Sequence, residues 1–84
     1  MESNNLFESI KLKILESLSD EEKALITDLY VRYSNQVTDR KYRFVCIFTF
    51  VGNIIDCEVE DTEAEIIEST VLNIKKYANV ALKV

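Results

Sequence analysis

With no His, no Pro, one Gly and two Cys in 84 residues, the chain has a narrow chemical repertoire. The commonest general base and metal ligand is missing, one Gly cannot build a Gly-rich phosphate loop, and two Cys fall short of a four-thiolate zinc site. A net charge of −5 argues against free nucleic acid or an anionic membrane as partner, because affinity for either rests on Lys and Arg.

The apolar fraction of 48% and charged fraction of 30% belong to a globular chain rather than a disordered one. The length suits one small α+β domain, residues 1–84. The first ten residues, MESNNLFESI, lack a basic region and an apolar run, and no segment has membrane-spanning length. The expected setting is cytoplasmic.

Three helix starts share one device. Asn5, Ser19 and Thr62 each precede a Glu by three residues, Glu8, Glu22 and Glu65, which is capping-box spacing. The first helix is expected over about 6–18, with Phe7, Ile10, Ile14 and Leu18 on one face. The second is expected over about 20–36, with Leu25, Leu29 and Tyr33 as its stripe. Its three leading acids would meet phosphates badly, so the helix pair is not a DNA-reading motif. A polar turn follows at Ser34 to Asp39.

Residues 42–60 read as a β-hairpin turning at Gly52-Asn53. A two-residue turn there pairs Val51 with Ile54 and Phe48 with Cys57. One face then carries Phe44, Cys46, Phe48 and Phe50 with Ile55, Cys57 and Val59, and is expected to be the core. The other carries Val45, Ile47, Val51 and Ile54, followed by Asp56, Glu58 and Glu60. A third helix is expected over about 63–77 on Ala64, Ile67, Val71, Ile74 and Ala78. The tail, Asn79 to Val84, alternates like a short strand that returns beside the first hairpin strand, in a right-handed β-α-β unit. The expected architecture is α-α-β-β-α-β, with the helices packed on one sheet face.

Three features bear on function. Cys46 and Cys57 are expected as reduced, buried thiols, as free Cys usually is. The tyrosines at 30, 33, 42 and 77 suit core margins more than a recognition cluster. Val45, Ile47, Val51 and Ile54 form an apolar patch that either the first helix or a second copy of the chain must cover. Between residues 56 and 68 stand Asp56, Glu58, Glu60, Asp61, Glu63, Glu65 and Glu68 with no intervening base. They suit a solvated helix start partly offset by Arg43, or an acidic surface for a basic protein. The composition supports no enzyme and no cofactor. It favours a self-associating protein-interaction module, compatible in its make-up with small regulatory or phage and viral accessory proteins. The alternative is an acidic inhibitor that mimics nucleic acid toward a basic protein.

Overall fold

The computed structural model describes residues 2–34, 43–51 and 54–82. Its elements are α1 (Glu2–Glu16), α2 (Asp20–Ala24), β1 (Ile26–Tyr33), β2 (Phe44–Phe50), β3 (Ile54–Glu60) and α3 (Glu63–Leu82). The α+β class, the two N-terminal helices, the hairpin and the helix after it are as the sequence predicts. The extent of the second helix, the tail and the hairpin register are not.

Helix α1 already runs at Asn5, so Asn5 is not its cap. Ser19 does cap α2. Its Oγ accepts from the Glu22 N–H at 3.2 Å, while Glu22 Oε1 accepts from the Ser19 N–H at 2.8 Å. Lys75 Nζ donates to the same Glu22 oxygen at 3.0 Å and ties α2 to α3. The Ser19 N–H and Lys75 together hold the Glu22 carboxyl below the usual carboxylate range.

The second helix ends after one turn, at Ala24, and β1 replaces its expected remainder. Leu25, Leu29 and Tyr33 are spaced by four, which places them on one face in a helix and equally in a strand. The residues among them decide the matter. Ile26, Thr27, Tyr30 and Val31 are β-branched or aromatic and favour the pleated form. Strand β1 lies antiparallel to β2, and the sheet order is β1-β2-β3. It occupies the place expected for the C-terminal strand. Residues 79–82 are helical instead, because α3 continues to Leu82; Lys83 and Val84 lie outside the described residues. No Gly or Pro stands there to stop the helix, and Ala and Leu sustain it. The helix itself is capped as expected: Thr62 Oγ1 accepts from the Glu65 N–H at 3.1 Å.

The hairpin register differs from expectation by one residue. Phe50 faces Ile54, Phe48 faces Asp56 and Cys46 faces Glu58. The connection therefore holds three residues, 51–53, rather than two; Gly52 and Asn53 lie outside the described residues, as do 35–42. Because side chains alternate along a strand, a one-residue slip moves every β3 side chain to the other face.

Both long helices lie on the same side of the sheet, α1 over β1 and α3 over β2 and β3. Between the layers sit Leu29, Cys46, Phe48 and Phe50 from the sheet, against Ile10, Ile14, Ile66, Ile74 and Ala78 from the helices. Ile66, Thr70, Ile74 and Ala78, four apart, form the buried line of α3; Ala64, expected in that stripe, is exposed. Aromatic rings close the two ends of the core. Phe7 meets Tyr33 edge-on at 4.9 Å, and Tyr77 stands 5.7 Å from Phe50. Tyr33 and Tyr77 are thus core margin, as expected.

Candidate interaction surface

The sheet face opposite the helices is left uncovered by α1, α2 and α3. Register sorts its side chains into three rows of three. The first row is Asp28, Thr49 and Ile55. The second is Tyr30, Ile47 and Cys57, and the third is Arg32, Val45 and Val59. A bulge at Thr27 sets this phase on β1: one extra residue between Ile26 and Asp28 brings the strand into step, and the Thr27 hydroxyl donates to the Thr49 carbonyl at 3.2 Å. Ile55 is 69% exposed, Tyr30 58% and Val59 44%, while the central column is less accessible: Ile47 and Thr49 are half-buried and Val45 is buried. Only Asp28 and Arg32 carry charge, so the face as a whole is neutral.

Of the four residues expected to make the apolar patch, Val45 and Ile47 lie on this face. Val51 stands beyond the end of β2, half-exposed, with its N–H donating to the Leu25 carbonyl at 2.9 Å. Ile54 faces Phe50 and therefore belongs to the helix side, at its exposed end. Ile55, Cys57 and Val59, expected in the core, take over the open face. Of the two covers expected for the patch, the first helix is ruled out, since α1 packs on the other side of the sheet.

The acids of β3 make the opposite move, under α3. Ser69 donates to Glu60 at 2.7 Å, Asn73 to Glu58 at 2.7 Å and to Asp56 at 2.9 Å, and the Tyr77 hydroxyl to Asp56 at 2.7 Å. Two spacings coincide here. Four helical residues advance about 6 Å and two strand residues about 6.7 Å, so residues 69, 73 and 77 stay in step with 60, 58 and 56 along an antiparallel helix and strand. The Tyr77 hydroxyl, then the Cys57 N–H and Asn73, hold the Asp56 carboxyl below its ordinary range. Burial, then repulsion from Asp56 and Glu60, pushes Glu58 up.

Three of the four remaining acids of the run are also engaged. Asp61 pairs with Arg43 at 3.1 Å, Glu63 with Lys13 at 3.2 Å, and Glu65 accepts from the Thr62 hydroxyl at 2.8 Å. Glu68 makes no such bond among the described residues. The run is therefore a set of local contacts more than one outward-facing charge field, with Arg43 compensating it as the sequence suggests.

The two cysteines sit on opposite faces of the sheet, not together in the core. Cys46 is buried beside Thr70, and burial pushes its thiol up to about 11. The fully buried Thr70 hydroxyl has no hydrogen-bond partner in good geometry among the described residues. Cys57 is exposed on the open face, opposite Ile47. Partial burial and the carboxylates of Glu58 and Asp56 raise its thiol as well, so neither is an activated thiolate.

A surface depression of about 650 Å³ lies between α2 and the C-terminal half of α3 and is lined by Glu22, Leu72, Lys75 and Asn79, among others. The Lys75–Glu22 ion pair crosses it. Among the described residues no cluster of three or more Cys, Asp or Glu is placed to hold a metal ion, and no helix is long and apolar enough to cross a membrane. Comparison with protein-family models, curated proteins and solved structures finds no match for this chain.

The signal for the true register was present in the sequence. Strand β3 alternates an apolar half, Ile55, Cys57 and Val59, with an acidic half, Asp56, Glu58 and Glu60. Helix α3 offers Ser69, Asn73 and Tyr77 at a spacing of four. Those three polar side chains can receive carboxylates spaced by two, which is where the structure puts them.

Proposed function

We propose that this chain is a non-enzymatic interaction module that self-associates through the open sheet face and presents the assembled form to a protein partner in the cytoplasm. The observation that carries the reading is the outward apolar half of β3, Ile55 and Val59, beside Ile47 and Tyr30 on a face with no net charge. Soluble chains seldom leave such a face bare. A two-layer domain whose second sheet face is covered by no helix among the described residues acquires a third layer by pairing with a copy of itself, the simplest closed assembly.

The interface is small. Strands of seven residues at about 3.4 Å each, three abreast at about 4.8 Å, give a plan area of roughly 24 by 14 Å. This is below the roughly 800 Å² per partner of a standard stable complex. The dimer is therefore concentration-dependent and exchanges readily. The acidic-inhibitor reading draws less support, because most of its carboxylates are engaged within the chain.

Size-exclusion chromatography with light scattering tests the proposal. At high protein concentration the mass approaches twice 9.7 kDa, and Ile55→Lys returns it to one chain mass with an unchanged far-UV circular dichroism spectrum. A single-chain mass at every concentration up to about 1 mM, the weak end of the affinity scale, would overturn it.

A further inference from the structure

The nine side chains of the open face do more than offer apolar area; their pattern selects one way of pairing. Resting on the self-association proposed above, we infer that two copies pack face to face about a two-fold axis that runs across the strands, along the row Tyr30, Ile47 and Cys57. Asp28 of each copy then meets Arg32 of the other, and the two Cys57 side chains meet each other.

The inference follows from elimination. A face-to-face pair of identical sheets has its two-fold axis in the interface plane, and a three-by-three grid admits four such axes through its centre. An axis along β2 sets β1 over β3 of the second copy. That places Asp28 on Ile55 and Arg32 on Val59, and burying an unpaired charge against an aliphatic side chain is costly. One diagonal axis places Asp28 on its own symmetry mate; the other does the same for Arg32. Like charges directly opposed are unfavourable. Both diagonals also leave the remaining charge against an apolar residue, Ile55 or Val59. Only the axis along the middle row sets Asp28 against Arg32, twice, while laying Ile55 on Val59, twice, and Thr49 on Val45. Its strands run near antiparallel to their mates, because a two-fold across the strands reverses their direction. This is the aligned class of sheet packing, whose crossing angle of about 30° moves facing residues at the grid corners by about 2 Å each, a shift the long Arg32 side chain spans.

Sheets packed this way stand about 10 Å apart. The facing Cys57 Cα atoms then exceed the roughly 7 Å limit for a disulfide, whereas their thiols, each pointing toward the other, fall within reach of a short bismaleimide. The pairing thus requires no oxidation and predicts a thiol bridge only through a spacer.

Two experiments on the full chain decide it. A short bismaleimide added to the native protein is expected to give a covalent dimer on a denaturing gel, absent in Cys57→Ser, because Cys46 is buried. Asp28→Arg and Arg32→Asp are each expected to raise the dimer dissociation constant about tenfold or more by opposing like charges, and the double variant to restore it. A dimer by light scattering that neither cross-links through Cys57 nor recovers in the double variant overturns this geometry while leaving self-association intact. A chain that stays monomeric overturns both.

Discussion

The two faces of one three-stranded sheet are treated in opposite ways. On the helix side, Leu29, Cys46, Phe48 and Phe50 are all nearly inaccessible. On the open side, Ile55, Tyr30 and Val59 are exposed. The contrast is sharpest on β3, whose acids turn toward the protein and whose aliphatics turn away from it. Hydrophobicity alone would seat the strand the other way round. At a sheet edge, however, the polar partners on the covering helix decide. Ser69, Asn73 and Tyr77 satisfy three carboxylates without requiring them to enter the centre of the core, and the apolar half of the strand becomes surface.

The largest break in this comparison comes at the centre of the covered face. Phe48→Ala removes a fully buried ring between α3 and the sheet. Truncations of this kind cost about 3 to 5 kcal/mol, and a domain this small has only a few to lose. We expect Phe48→Ala to be largely unfolded by circular dichroism without denaturant. A cooperative melt near the wild-type midpoint would show that the helix-covered face is not the core.

Next comes the seam that holds β3 in register. Asn73→Ala removes two hydrogen bonds to carboxylates. Bonds to charged groups contribute about 1.5 to 3 kcal/mol each when buried, and these are only part-buried, so we expect a total loss of about 1 to 2 kcal/mol in urea titration. A neutral result would mean that the aliphatic half of β3, rather than its acids, sets the face.

These two sites also differ in how far the sequence reveals them. The helix-facing residues of β2 are legible, because Phe44, Cys46, Phe48 and Phe50 alternate along one face. So are the caps at Ser19 and Thr62, where the local chemistry is complete within four residues. The second helix is misread because a four-residue spacing satisfies both helix and strand, and a strand that pairs with residues some twenty positions away leaves no local mark. The open face is half legible. Val45 and Ile47 are found from β2 alone, but Ile55, Cys57 and Val59 depend on whether the hairpin connection holds two residues or three. A single residue at the turn inverts every assignment on β3.

Acid titration separates the two members of the seam. Asp56 has its folded pKa depressed, so its contribution is present above the unfolded value of about 3.9 and is lost as pH falls through the lower folded value. Glu58 has its folded pKa raised. Its ionised form is therefore a net cost at neutral pH, and the cost is relieved as pH falls through the raised value toward about 4.3. We expect stability to rise slightly on mild acidification from pH 7 and to fall only below about pH 4. Glu58→Gln should stabilise the chain at pH 7 and lose that advantage near pH 4, measured by urea midpoints across the range. A stability that falls steadily from pH 7 downward would assign Glu58 a favourable charge and contradict the crowding of three carboxylates along one strand.

The smallest effect on the monomer is expected at Ile55, and this is the most direct test of the difference between the faces. At 69% exposure, Ile55→Ala removes little burial, and its unfolding free energy in dilute solution should stay within about 0.5 kcal/mol of the wild type. Self-association alters that outcome only where copies are abundant, because binding that selects the folded form raises apparent stability with concentration. The wild-type melting temperature should therefore climb with protein concentration, while that of Ile55→Ala should stay flatter. The same aliphatic truncation in the core beneath α3, at Ile66 or Ile74, would lower both curves together. If Ile55→Ala also lowers the dilute melting temperature by the margin expected of a core truncation, the open face is supported from within the chain, and the contrast between the two faces disappears.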